Sequence, residues 1–259
     1  MLRILWNSRA GMNAQQEKLD SISNNLANVN TEGYKKTDVT FSDLVQETLN
    51  RQGYPNTKGS ISSTGTGVKA SQWIRDGKQG NLLQTGSNTD LAIDGSGYFA
   101  VTTADGTVAY TRNGSFNTDS AGSIVDKNGN RLNITFNPGA TNEDRVFTQD
   151  NFVVSPEGIV SKRLPGGNTK EVGKIELYNF VGQDSLRSVG ENLYVPKAGT
   201  QMYQNNDYNI EQGFLEGSNV DVASEMTDMI VTQRAFELSS KGLKTADDMW
   251  GITNNLRSK

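Results

Sequence analysis

From Val222 onward a large apolar side chain returns at every seventh position: Val222, Met229, Phe236, Leu243 and Trp250. A straight α-helix completes a turn every ~3.6 residues and drifts off a seven-residue repeat, so this register predicts a helix that follows a partner along its length. Met226, Ile230 and Leu238 widen the stripe. The preceding Ser218-Asn219-Val220-Asp221 offers a capping hydroxyl with an acid three residues on, and Arg257 and Lys259 stand where they oppose the negative end of the helix dipole. The amino-terminal stretch repeats the spacing with Leu5, Met12, Leu19 and Leu26, flanked by Ile22 and Val29. Ser8 and Gln15 fill the equivalent flank earlier on, so the opening turns are the weaker ones. Two such helices at opposite ends of one chain predict that they pair as a coiled coil and bring the termini together.

Between them the period changes. Residues 37–49, with Val39, Phe41, Leu44, Val45 and Leu49, predict a strand leading into a short helix beside the terminal pair. Residues 50–67 lose almost all apolar content and read as a turn-rich loop or linker. From Val68 to Val195 short β-prone runs are separated by Asp105-Gly106, Asn113-Gly114, Asn128-Gly129 and Glu157-Gly158. Alternation at Leu132, Ile134 and Phe136, and at Ile175 and Leu177, predicts strands with one buried face. Tyr98-Phe99-Ala100-Val101 and Phe152-Val153-Val154, apolar on both faces, predict central strands. The fold class is therefore α+β: long terminal helices paired as a coiled-coil domain, and a β-rich middle built as an antiparallel sandwich or a partly closed barrel. The boundaries that follow are 1–36 with 217–259 for the helical part, 37–70 with 198–216 for connecting segments, and 71–197 for the β-rich part.

Composition narrows the chemistry. The 259 residues include no cysteine and no histidine, which removes disulfides, thiolate nucleophiles and the commonest general base and zinc ligands together. A net charge of −4 without a basic block sets nucleic acid aside. Only 34% of residues are apolar, which favours an extended, multi-part chain over one large core. The apolar run Leu2 to Trp6 is too short for a secretory signal.

The segment Ser21 to Lys35 carries Asn24, Asn25, Asn28 and Asn30, which helix propensity disfavours. Asn24, Asn25 and Asn28 fit a helix where their amides make specific inter-helix hydrogen bonds, and Asn30 to Gly33 reads as a helix end with Gly33 left-handed. The run Asn24-Asn25-Leu26-Ala27-Asn28-Val29-Asn30-Thr31 followed by Gly33-Tyr34-Lys35 resembles the amino-terminal signature of the bacterial flagellar rod and hook family. Gly217-Ser218-Asn219-Val220-Asp221 and Gln233-Arg234-Ala235-Phe236-Glu237 resemble its carboxy-terminal partner motif, and Asp90 to Phe99 with Tyr110 to Phe116 resembles its β-domain core. The resemblance implies a structural, non-enzymatic subunit of the flagellar basal body without cofactor or small-molecule substrate. Its terminal helices form the inner, tube-lining part of a helical homopolymer, and its β-rich part faces outward. The implied partners are sister copies, neighbouring rod and hook proteins, the type III export apparatus and surrounding ring or bushing proteins. The expected subunit contacts are Leu5, Met12, Leu19, Ile22, Asn24, Asn25, Leu26, Asn28, Val29, Val222, Met229, Phe236, Leu243 and Trp250. Chain length favours a rod over a hook subunit. The opening Met1 to Trp6 resembles distal rod subunits, while the short, polar 50–67 segment leaves distal and proximal placements open.

Rival sites are weaker. Asp126, Asn128 and Asn130 have calcium-loop spacing, but Arg131 replaces the glycine and Asn137 the bidentate acid, so a type I′ hairpin turn is expected there. Gly95-Ser96-Gly97 lacks the third glycine of a dinucleotide loop. Asp90 and Asp94 as paired acids of a cell-wall hydrolase give way to turn-forming aspartates. A β-rich adhesin with helical ends is the remaining alternative.

Overall fold

The structure, a computed structural model, describes residues 2–44, 47–48, 63–65, 67–164, 166–182, 185–205 and 208–257. Most of the expected 50–67 linker, and the Lys259 expected against the helix dipole, lie outside these residues. The chain is α+β and divides into two compact units. Met1–Ala27, Thr37–Ile74 and Asp221–Lys259 make the helical unit; Asn28–Lys36 and Arg75–Val220 make the strand-rich one.

The helical unit holds α1 (Leu2–Ala27) and α2 (Val222–Arg257). The cap of α2 is Asp221 rather than Ser218: its Oδ1 accepts from Ala223 N (2.9 Å) and Ser224 N (3.3 Å). A carboxylate directly before the first helical residue reaches the free amides of the first turn, whereas a hydroxyl a further turn upstream does not. Thr37–Asp43 is the expected strand, paired with Val68–Arg75. Where a short helix is expected to follow, Glu47–Thr48 is a strand that pairs with Ser63–Thr64, and residues 45, 46 and 49 lie outside the described ones.

In the strand-rich unit Tyr98–Thr102 is the centre of a large sheet. Val108–Thr111 pairs along one edge, and Arg131–Leu132 and Leu177–Phe180 share the other. The second sheet runs Ile134–Phe136, Thr169–Ile175, Ile159–Arg163, Phe152–Val154. Phe152–Val154 is thus an edge strand and not a central one: Phe152 and Val154 enter the core, but Val153 faces out, half-buried. The chain passes between the sheets at Asn133 and again at Glu176, so Leu132 and Ile134, like Ile175 and Leu177, serve different sheets. Phe99, Val101, Phe116, Val160, Val172, Ile175 and Leu177 join in one core with no exposed surface, and no closed barrel forms among the described residues.

The hairpin after Asp126 departs from the expected turn type. Gly129 N donates to Asp126 O and Asp126 N to Asn130 O, and Gly129 alone is left-handed, with a φ of 84°; this is a type I turn followed by a one-residue bulge. The Asp126 carboxylate accepts from Asn128 N, Asn130 N and Asn130 Nδ2, so it organises the turn itself. The Asp105-Gly106 and Glu157-Gly158 turns repeat the same pair of backbone bonds. Asn113-Gly114 is no hairpin turn: a Cβ at Gly114 would lie 1.5 Å from Leu91 O, so glycine is required there for close backbone approach. Asp90 accepts from Thr85 Oγ1 and Asp94 from Gln79 Nε2, so each acid has its own partner and the two do not work as a pair.

A buried ion cluster lies within this unit. Glu216 Oε1 accepts from Lys35 Nζ (2.6 Å) and Gly80 N (2.8 Å), and its Oε2 accepts from Arg112 Nη1 (3.0 Å). Lys35 also donates to Lys78 O, and Arg112 to Gly95 O. Burial lowers the Lys35 ammonium below its usual range; Glu216 opposes that shift and Arg112 adds to it. One carboxylate thus holds two cations from distant parts of the sequence.

On the other face of the large sheet Tyr98, Tyr110, Tyr178, Phe180 and Tyr194 pack edge-on or tilted, and the Arg75 guanidinium sits 4.2 Å from the Tyr194 ring centre. Burial pushes the Tyr194 phenol to about 12, although Arg75 pulls the other way.

Two outcomes follow. Glu216→Ala leaves two buried cations without their anion and should cost about 3–5 kcal/mol. Urea unfolding followed by tyrosine fluorescence measures it, because Trp6, Trp73 and Trp250 all belong to the helical unit and report that unit separately. A loss below 1 kcal/mol would show the cluster to be incidental. In an alkaline titration at 295 nm Tyr194 should ionise well above the ordinary tyrosine value. Its contribution to stability is full below the unfolded value of ~10 and is lost as pH rises through about 12, and Tyr194→Phe should remove that late step.

Candidate assembly interface

Three contacts fix how α1 and α2 meet. A Cβ at Gly11 would lie 3.3 Å from Ser239 Oγ, one at Gly242 would lie 3.0 Å from Ser8 Oγ, and Asn25 Nδ2 donates to Glu225 Oε2 at 3.0 Å. Each step forward in α1 is matched by an equal step back in α2, so the helices are antiparallel. Asn25 is saturated where it stands: Nδ2 also donates to Thr37 O, and Oδ1 accepts from Thr37 N. Ser21 Oγ donates to Thr37 O, and Lys18 pairs with Asp38. The amide of Asn25 therefore ties α1 to both α2 and the adjoining strand.

Apart from Ile22, the side chains that fill this contact are small or polar. On α2 the most buried are Glu225, Thr232 and Ala246, with Ser239 half-buried between them; on α1 they are Ala14, Ser21, Ile22 and Asn25. Glycine and serine at the crossing let the backbones approach closely, and large side chains are displaced to the flanks. Of the residues expected on the seam, Leu5, Met12, Leu19, Leu26, Met229, Phe236 and Leu243 are half-buried, Ile22 and Asn25 are buried, and Asn24, Val222 and Trp250 are exposed. Asn28 and Val29 lie past the end of α1, where the Asn28 carbonyl and side chain accept from the Thr31 N–H and hydroxyl and close a turn. Glu225, Thr232, Ser239 and Ala246 were not among the expected contacts. They too are spaced by seven, a signal that a search for large apolar side chains passes over.

The outward face of α2 is apolar in a way that a solvated helix is not. Met226, Ile230, Val231, Leu238, Met249, Ile252 and Leu256 are all exposed, Ile230 at 60%, Leu238 at 67% and Leu256 at 74%. On α1 Ile4 and Trp6 are exposed, with Arg9 stacked over the Trp6 ring. No group of three or more possible metal ligands converges among the described residues, and no described helix is long and apolar enough to cross a membrane. A single helical pair with two dissimilar faces, one closed on itself and one open, is suited to packing against further helices.

Comparison with known proteins agrees in every part of the chain. A family model described as "Flagella basal body rod protein" matches residues 5–35, "Flagellar hook protein FlgE/F/G D1 domain" matches 92–162, and "Flagellar basal body rod FlgEFG protein C-terminal" matches 211–256. The flagellar basal-body rod protein FlgG of Borreliella burgdorferi is 39% identical, covering 99% of both chains. That of Bacillus subtilis is 37% identical over 99% of this chain and 100% of its own, and that of Agrobacterium fabrum is 35% identical over 98% of each.

The close crossing makes a testable demand. Gly11→Ala needs Ser239 to yield by a few tenths of an ångström and gains helix propensity, so its stability should stay within about 1 kcal/mol of the parent. Gly11→Leu overfills the crossing and should cost about 1–3 kcal/mol, read as a lower melting temperature at 222 nm. Equal tolerance of both would mean that the helices do not meet there.

Proposed function

The chain belongs to the flagellar basal-body rod family, a structural subunit of the basal body and not an enzyme, and we propose that it builds the distal rod by packing its terminal helices against those of sister copies. The single observation that carries this is the exposed apolar row on α2, whose inner face is already occupied by α1. Water-exposed Met, Ile, Val and Leu at this density stabilise a helix only when another surface covers them. In the assembled shaft the helical units of successive copies pack on one another. Leu5, Met12, Leu19, Leu26, Met229, Phe236 and Leu243, half-buried at the flanks of the pair, complete the lateral contacts.

Full-length likeness to rod proteins favours a rod over a hook subunit, since the central family model is shared by both. The further partners we propose are neighbouring rod and hook proteins, the type III export apparatus and the rings or bushing around the shaft. A chain without cysteine passes an export channel unfolded without any risk of disulfide closure on the way.

Leu238 tests the proposal, because it makes little contact within its own chain. Leu238→Asp should leave helicity and tyrosine fluorescence unchanged yet abolish filaments, by light scattering and negative-stain imaging, at concentrations where the parent assembles. Filaments of normal yield from Leu238→Asp would exclude this face as a subunit contact.

A further inference from the structure

The large sheet of the strand-rich unit has two open edges, and they differ. Leu186–Gly190 bounds one side, paired only to Leu193–Pro196, and Met202–Asn205 bounds the other, paired only to Leu177–Phe180. Hydrogen bonding along an antiparallel pair alternates, so one bond fixes the phase of a strand. Lys197 N donates to Ser185 O, which makes Arg187 and Val195 the next bonded pair and turns the N–H and C=O of Leu186 and Ser188 to the open side. Pro196, opposite Leu186, has no N–H to give, in keeping with that phase. Val181 N donates to Gln201 O, so Asn179 and Tyr203 form the next bonded pair, and Met202 and Gln204 turn their backbone groups outward. No described backbone segment pairs with these outward groups, and Arg187, Ser188, Met202, Tyr203 and Gln204 are exposed. The second sheet shows the contrast: its edge strand Phe152–Val154 is closed by Gln212, whose Oε1 accepts from Val154 N (3.1 Å) and whose Nε2 donates to Phe152 O (2.9 Å). An open edge such as Met202–Asn205, without charge, proline or bulge, is a template for another strand.

Direction matches as well as chemistry. From Leu186–Gly190 the sheet passes through Leu193–Pro196, Val108–Thr111, Tyr98–Thr102 and Leu177–Phe180 to Met202–Asn205, and every step is antiparallel. The two edge strands therefore run in opposite directions, about 24 Å apart at ~4.8 Å per step. A second copy laid beside the first in the same orientation presents its Met202–Asn205 antiparallel to the first copy's Leu186–Gly190, like face beside like face. We propose that the strand-rich units of sister copies join in this way into one continuous sheet, with Ser188 opposite Met202 and Leu186 opposite Gln204. Those two bonded pairs use every outward N–H and C=O named above. Between them Arg187 faces Tyr203, a cation beside an aromatic ring on the face that also carries Val195 and Asn179. The occupant is a second copy because the family assembles with itself and because each edge supplies what the other needs. Two Leu186–Gly190 edges would instead set Arg187 against Arg187. The two edges lie on opposite sides of the sheet, so a neighbour takes one and leaves the other open, and the contact propagates instead of closing into a pair.

The edge pairing rests on the self-assembly proposed above, and the test separates the two. Ser188→Pro and Gln204→Pro each delete an outward N–H while leaving the bonds to the strand's own neighbour in place. In the full-length chain each should leave tyrosine fluorescence and far-ultraviolet circular dichroism unchanged and raise the critical concentration for assembly about tenfold or more. Because the chain has no cysteine, an Arg187→Cys chain mixed with a Tyr203→Cys chain should give a mixed disulfide on oxidation of the assembled material. The opposed Cα atoms of such a non-bonded pair stand about 4.5 Å apart, within disulfide reach. Where a proline variant fails to fold, the disulfide decides. Filaments formed at the parental concentration by either folded proline variant, or the lack of any mixed disulfide, would overturn the edge pairing while leaving self-assembly through Leu238 intact. A parent chain that never assembles would overturn both.

Discussion

Everything in the helical unit depends on how closely α1 and α2 can approach. Glycine and serine at the crossing, with Ala14 and Ala246 at either side, leave no room for large side chains between the backbones. The large apolar side chains must then go elsewhere, to the flanks or to the outer face. A seam of leucine and phenylalanine would have consumed the hydrophobic surface inside one chain and left a self-sufficient hairpin. A seam of small residues keeps the pair narrow and leaves that surface on the outside.

A small, polar seam carries little hydrophobic free energy, so orientation and register need another source. Asn25 supplies it. With its amide nitrogen shared between Glu225 and Thr37 O, and its oxygen accepting from Thr37 N, any slip of α1 by one residue leaves buried polar groups on three segments unmatched. The strand-rich unit uses the same device with full charges. Glu216 holds Lys35 and Arg112 so that each cation loses its anion if either chain segment moves. Buried ion pairs add little net stability over apolar packing, but they make alternative arrangements expensive, and that selectivity suits a subunit that must present the same surface in every copy.

The two helices, the strand-rich middle and the family were legible from period and motif, because seven-residue spacing and turn dipeptides are local properties. What was hidden depends on which side chain meets which. Spacing points to the heptad of large apolar residues as the seam, but a second heptad, Glu225, Thr232, Ser239 and Ala246, holds the most buried positions of α2, since close approach does not select for hydropathy. Phe152–Val154 was read as central from its composition, yet its place at a sheet edge is a matter of topology. The Lys35–Glu216 pair spans most of the chain, and nothing local marks either residue as buried. Gly114 shows the converse: Asn113-Gly114 has the form of a turn dipeptide, while the reason for its glycine lies in the Leu91 backbone of another strand.

The outer face of α2 joins these points into one argument about polymer growth. A rod subunit assembles with copies of itself, so its contacts must be weak enough singly to avoid misaligned association. Exposed apolar rows interrupted by Arg234, Lys241 and Asp248 meet that demand, because their charges oppose misaligned association and their apolar members contribute only when aligned.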